Sequence, residues 1–106
     1  MRITYLSLAV LDFAEIRAYI AADNPDAVQR IGSKLRGSIR SLEQFPNLGK
    51  PGRVFGTREL HTSRIGKTTY IVVYRIKREE IQILRVLPGM RDIDAILEEG
   101  FPEEEN

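Results

Sequence analysis

Residues 70–88 constrain the fold of this chain more than any other stretch. They read YIVVYRIK and EIQILRVLP, two dense apolar runs that meet at Lys77-Arg78-Glu79-Glu80. Short runs rich in Ile and Val, joined by a charged break, form a β-hairpin. With Lys77 opposite Glu80, Arg75 faces Gln82 and Val72 faces Arg85. Side chains alternate across a strand. One face then carries Tyr70, Val72, Tyr74, Ile76, Ile81, Ile83, Arg85 and Leu87. The other carries Ile71, Val73, Arg75, Gln82, Leu84 and Val86. Both faces are largely apolar, and one layer of helices covers only one of them. The second is expected to remain an apolar strip rimmed by basic side chains, the usual mark of a binding surface. An arginine inside a buried strand needs a partner. Arg85 is therefore assigned a structural charge, paired with a helix carboxylate such as Asp12 or Glu15.

The preceding residues supply those helices. RITYL (2–6) reads as a strand, and Ser7 is a candidate cap. Ala9, Phe13, Ile16 and Ile20 recur at helical spacing, with Asp12 and Glu15 off the stripe. In DNPDA (23–27), Asn24 is a candidate N-cap and Pro25 suits the first helical position. Val28, Ile31, Leu35, Ile39, Leu42 and Phe45 then mark a second helix of about 20 residues. The short linker makes the two helices an antiparallel hairpin. Gly32 and Gly37 each cost this helix roughly 1 kcal/mol, which implies close approach of a neighbouring element. Residues 46–57 form a loop rich in Pro and Gly, TRELH (57–61) a short strand and residues 91–100 a short helix.

The expected fold is α+β: an N-terminal strand and an antiparallel helix hairpin packed on one face of a small antiparallel sheet. Residues 1–97 make a single domain, and residues 98–106 an acidic, frayed tail. A chain of 106 residues holds one core. With no cysteine and one histidine, disulfides, thiolate chemistry and a structural zinc site are excluded. No metal or cofactor is expected. No apolar run reaches membrane-spanning length and there is no signal-peptide pattern, so a cytoplasmic protein is expected. The net charge of +1 conceals an asymmetry. Residues 1–92 carry all 16 Lys and Arg against nine Asp and Glu, and the six remaining acids follow Asp92. A basic body suggests an anionic partner, nucleic acid or an acidic protein segment, and reads equally well as a solvated surface with a solubilising tail.

The ordered set DNPDAVQRI, FPNLGKPGRVFGTREL, YIVVYRI and ILRVLPGMRD resembles the RelE/ParE superfamily of type II toxin–antitoxin toxins, over residues 7–94. The resemblance implies one of two activities. RelE-like members cleave mRNA on the ribosome, whereas ParE-like members poison DNA gyrase without known nuclease activity. Ile71 stands where many RelE-like nucleases carry arginine. RVLPGMRD offers no His, Tyr or carboxylate before Asp92, and Pro88 replaces a histidine common in ParE relatives. General acid–base catalysis needs such groups within hydrogen-bond reach. The resemblance thus points to the ParE branch, with no catalytic residue and with ribosome-dependent mRNA cleavage as the alternative.

On this reading the partners are a ParD-like antitoxin, in a hetero-oligomer, and DNA gyrase. Neither membrane binding nor independent DNA binding is expected. The candidate antitoxin- or target-binding residues are Arg58, His61, Ile71, Val73, Arg75, Arg78 and Leu84. Tyr70 and Tyr74, at period two in an apolar strand, are read as core rather than as nucleobase platforms.

Overall fold

The chain, described for residues 1–102 by a computed structural model, is organised around one five-stranded sheet. In chain order come β1 (Arg2–Tyr5), α1 (Ser7–Asp23), α2 (Val28–Arg40), β2 (Lys50–Pro51), β3 (Arg58–His61), β4 (Tyr70–Lys77), β5 (Glu80–Pro88) and α3 (Ile93–Glu98). The spatial order of strands is β1-β5-β4-β3-β2. Helices α1 and α2 form the expected hairpin against one face.

The sheet is mixed rather than purely antiparallel. β1 runs parallel to β5, from Arg2 opposite Glu80 to Tyr5 opposite Ile83. Both strands therefore leave the sheet at the same end, one into α1 and the other towards α3. Strand propensity reveals that a segment is extended but carries no information on its direction. Glu80 fastens this edge by accepting hydrogen bonds from Arg2 Nη2 at 2.8 Å and Thr4 Oγ1 at 3.0 Å.

The β4–β5 hairpin begins in the expected register, with Lys77 opposite Glu80 and Arg75 opposite Gln82. Its two turn residues, Arg78 and Glu79, have φ of 57° and 60°. That turn normally selects Asn-Gly, because both central residues are left-handed. Further along, the register breaks. Tyr74 pairs with Ile83 but Val73 pairs with Arg85, so Leu84 is an extra residue on β5. This β-bulge reverses the alternation beyond it. Val72 faces Val86 instead of Arg85, Val86 joins the helix-side core, and Leu87 moves to the opposite cluster.

The main core joins Phe13 and Ile16 of α1, and Ile31, Leu35 and Ile39 of α2, to Tyr70, Val72, Tyr74, Ile81, Ile83 and Val86. Leu42 completes the α2 stripe within a 3-10 turn, Ser41–Glu43. A second 3-10 turn, Pro25–Ala27, precedes α2. The expected helix of about 20 residues is thus 13 α-helical residues with a tighter turn at each end. Phe45, beyond the second turn, is 59% exposed and leaves the stripe. Asn24 makes no side-chain cap; its backbone N–H bonds to the Ile20 carbonyl instead.

The second sheet face is not an open strip. Ile71, Val73, Leu84 and Leu87 cluster with Ile93 and Leu97 of α3, with Leu6, Val54 and Phe101 packed around them. Ile71, Val73 and Leu84 are only 7%, 0% and 2% exposed. The short apolar stripe of α3 finds its burial here, which corrects the expectation of a bare face. Glu98 is the last residue of α3, so the tail assigned to 98–106 overlaps the helix by one residue; residues 103–106 lie outside the described residues.

The helix glycines do not mark close approach. A Cβ on Gly32 would meet only the Arg36 guanidinium, at 3.3 Å, and one on exposed Gly37 would meet nothing within 4 Å. Gly37→Ala should therefore raise stability by about 0.5–1 kcal/mol. Leu35→Ala, at a fully buried position, should lower it by about 2–5 kcal/mol. Urea melts of the two variants check both signs, and an unchanged midpoint for Leu35→Ala would contradict the assigned core.

Candidate functional site

Two buried carboxylates organise the charged groups. Asp12 sits on the flank of α1 and is 6% exposed. Its two oxygens accept from Arg85 Nε at 2.8 Å and Nη2 at 2.9 Å, a bidentate pair. Oδ2 also accepts the backbone N–H of Val86 at 2.8 Å. That amide lies just past the β-bulge and beyond the end of the β1 pairing at Ile83. Asp12 thus supplies both the counter-charge for Arg85 and an acceptor for the bulged strand. The Asp12 hydrogen bonds are the chief reason that the Arg85 guanidinium holds its proton more tightly than usual.

Glu59 on β3 is 2% exposed and points to the second sheet face, opposite Val73. The tight loop between β2 and β3 folds Arg53 back onto it. Arg53 donates to Glu59 through its backbone N at 3.0 Å, Nε at 2.8 Å and Nη2 at 2.9 Å. Arg53 Nη1 reaches Asp94 of α3 at 2.9 Å, and His61 Nε2 lies 3.1 Å from Glu59 Oε1. Burial alone would push the Glu59 carboxyl up, but the Arg53 hydrogen bonds and the His61 contact together outweigh it and bring it to about 2. Glu59 and Arg53 escaped the sequence reading. A carboxylate in a short strand, six residues after an arginine across a Gly-containing loop, is the pattern that betrays them.

The candidate binding residues separate into groups. Ile71, Val73 and Leu84 lie under α3 and are not accessible in this conformation. Arg58 is occupied locally, donating through Nε to the Gly49 carbonyl at 2.9 Å and through Nη2 to the Asn47 carbonyl at 3.2 Å. Tyr74, fully buried, holds the same loop: its hydroxyl donates to the Pro46 carbonyl at 2.7 Å and accepts from Gly49 N at 2.9 Å. A Cβ on Gly49 would sit 2.8 Å from the Tyr74 ring and hydroxyl, so this position admits only glycine. Arg75 Nε donates to Gln82 Oε1 at 2.7 Å, and Arg78 sits at the exposed hairpin tip. His61 is partly exposed at the end of β3.

Helix α1 carries accessible apolar surface. This helix is apolar around most of its circumference, yet Val10 and Leu11 are 52% and 58% exposed and Tyr19 is 76% exposed. A helix with that pattern is ordinarily buried on all sides. Beside it, an open groove of about 300 Å³ runs between α1 and the β4–β5 ends, lined by Ile16, Tyr19, Tyr70, Pro88 and Met90 among others. Among the described residues, no group of three or more His, Asp or Glu converges to hold a metal. No helix there is long and apolar enough to cross a membrane.

Glu59 gives a pH test of this geometry. Its lowered pKa contributes stability that is fully present above about 4.5 and is lost as pH falls towards about 2. Arg53→Met removes the opposing hydrogen bonds and leaves burial, which raises the Glu59 pKa. The variant should lose about 3–5 kcal/mol at pH 7. Its deficit should shrink as pH is lowered towards 4.5, because the protonated carboxyl tolerates burial. A deficit independent of pH, measured by urea unfolding from pH 4.5 to 7.5, would contradict this account of Glu59.

Comparison with known proteins agrees with this architecture. A family model described as ParE toxin of type II toxin–antitoxin system, parDE, matches residues 3–93. A curated protein of Sinorhizobium fredii (strain NBRC 101917 / NGR234), named "Putative toxin Y4kP", is 38% identical over 96 residues, which cover 91% of this chain and 96% of that protein. In fold, the chain is similar to a solved structure titled "Chromosomal ParDE TA system from P. aeruginosa". The TM-score is 0.72 at 24% identity, covering 83% of this chain and 95% of that one. The chain belongs to the ParE toxin family of type II toxin–antitoxin systems.

Proposed function

We propose that this toxin acts without covalent chemistry, by binding DNA gyrase in the cytoplasm so that cleaved DNA accumulates, and that a ParD-like antitoxin neutralises it by direct binding. The observation that carries the non-enzymatic part is the occupation of its ionisable groups. Glu59, the carboxylate nearest His61, accepts three hydrogen bonds from Arg53 and stays ionised far below neutral pH. It serves as an anchor rather than as a base. Arg85 is committed to Asp12, and the Tyr74 hydroxyl is committed to the loop. His61 is the chain's one histidine. Cleavage of RNA through its 2′-OH needs a base and an acid on opposite sides of the phosphate, and arginine remains protonated.

The gyrase assignment rests on membership of the ParE family. The purified chain with gyrase, DNA and ATP should accumulate protein-linked DNA breaks, while mRNA on programmed ribosomes stays intact. Cutting of mRNA in the ribosomal A site, abolished by Arg75→Ala in a folded variant, would support the ribonuclease alternative and sink this reading.

For the antitoxin, the exposed apolar face of α1 and its groove support docking of an apolar, helical segment. Arg75 and Arg78, at the other end of the hairpin from this groove, are proposed to meet acidic residues of a further part of the antitoxin. Aromatic anchors in such grooves carry a large share of binding energy. Tyr19→Asp should therefore weaken binding of the cognate antitoxin at least about tenfold with little change in melting temperature. Unchanged affinity by titration calorimetry would move the docking site elsewhere.

A further inference from the structure

We propose that the outer face of α2 is a contact surface for the phosphate backbone of duplex DNA, bound without regard to base sequence. The helix, VQRIGSKLRGSIR, holds four cations, Arg30, Lys34, Arg36 and Arg40, and no acid. All four are exposed. Among the described residues none of them pairs with a carboxylate, and the flanking acids Asp26 and Glu43 form no ion pair with them. The local energetics of this face are unfavourable in three ways. Arg30 and Lys34, and likewise Arg36 and Arg40, stand four residues apart, where like charges repel. Arg30 also lies in the first turn, at the positive end of the helix dipole. Gly37 weakens the helix too, since it lies on the exposed face and a Cβ there would meet nothing within 4 Å. No ion pair among the described residues offsets these costs, and natural sequences break local rules of this kind chiefly at functional surfaces.

The partner follows from what the face holds and what it lacks. At about 100° per residue, Ser33 and Gly37 lie along its middle, with Arg30 and Lys34 on one side and Arg36 and Arg40 on the other. A bulky anion can therefore come close to the helix backbone between two rows of cations. Ser33 and Gln29 add exposed neutral donors of the kind that hold phosphates. No large apolar side chain is exposed between Val28 and Arg40. A protein partner binds through apolar or aromatic anchors, and a single strand stacks its bases on aromatic side chains. A duplex backbone asks only for positive charge and close approach. The acids Asp94, Glu98 and Glu99 belong to α3 and its end, on the opposite face of the sheet. This departs from the expectation of no independent DNA binding, because the gathering of cations on one acid-free helix face is visible only once the fold separates α2 from α3. The contact does not depend on the gyrase or antitoxin proposals.

Fluorescence anisotropy of short labelled duplexes, with the full-length toxin alone, tests this. At about 50 mM salt, two duplexes of unrelated sequence should bind equally, with a Kd in the micromolar range that weakens steeply as salt rises. Arg30→Gln with Lys34→Gln should reduce the slope of log K against log salt by about 2. Lys77→Gln with Arg91→Gln, an equal loss of charge outside α2, should leave the slope unchanged. Gly37→Leu keeps the charge and fills the open space above the helix, so it should weaken duplex binding at least about threefold. Lys34→Gln with Arg40→Gln gives the same readout as the first pair if that pair perturbs folding. Absence of duplex binding at low salt, or an equal loss of slope in the two double variants, would overturn the proposal. Unchanged affinity in Gly37→Leu would refute the close approach. Tighter binding of single-stranded DNA or of RNA, or competition by polyglutamate as effective as that by unlabelled duplex, would overturn the choice of duplex DNA. The assay contains neither gyrase nor antitoxin, so its failure leaves the proposed function standing, and the reverse holds as well.

Discussion

One carboxylate joins the two halves of this fold. Asp12 belongs to the first helix, and it binds Arg85 and the Val86 amide of the last strand. Val86 stays paired with Val72 beyond the bulge at Leu84, and its amide is held by the same carboxylate that pairs with Arg85. A buried carboxylate or guanidinium alone is expensive, whereas a bidentate pair with a further backbone donor satisfies both. The bulge in turn decides which side chains of β5 face the helices and which face α3. The Asp12–Arg85 contact, between residues far apart in the chain, thus lies beside the bulge that divides the two apolar clusters.

Much of this was legible in the sequence because it rests on period. The stripes of Phe13 and Ile16 and of Ile31, Leu35 and Ile39 locate the helix faces. The two Ile/Val-rich runs locate the hairpin, and the Lys77–Glu80 pairing gives its first register. The β-bulge was not legible, because Leu84 is as apolar as its neighbours and no Gly or Pro marks the extra residue. From that point alternation assigned Val86 and Leu87 to the wrong faces. The parallel sense of β1 was hidden for a different reason: direction is settled by where the helices return the chain. Glu59 was not legible as a buried charge, since its burial depends on Arg53 arriving from a loop. The binding role given to Ile71, Val73 and Leu84 failed in this conformation because α3 was counted as a terminal helix rather than as a layer.

The same comparison changes where recognition is to be sought. A sheet covered on both faces offers few open apolar contacts, so exposed apolar side chains are found on the helices and loops, three of them on α1. Val10, Leu11 and Tyr19 are large side chains that are more than half exposed. The cost of leaving them in water is offset when a partner covers them. The inner stripe of this helix serves the stability of the isolated chain, and its outer face is the one proposed for antitoxin docking.

The parallel pairing of β1 with β5 also has a consequence in time. Arg2 meets Glu80, and Asp12 meets Arg85, across 78 and 73 residues of chain. Synthesis at about 5–20 residues per second leaves β1 without its neighbour for roughly 4–16 s. Until then α1 has neither its strand nor its counter-ion, and only local structure such as the α1–α2 hairpin is available to the growing chain. The β4–β5 hairpin forms as soon as it emerges, but closure of the sheet edge comes last. The assembled toxin surface, including the α1 groove bounded by Pro88 and Met90, therefore exists only once nearly all of the polypeptide has been made.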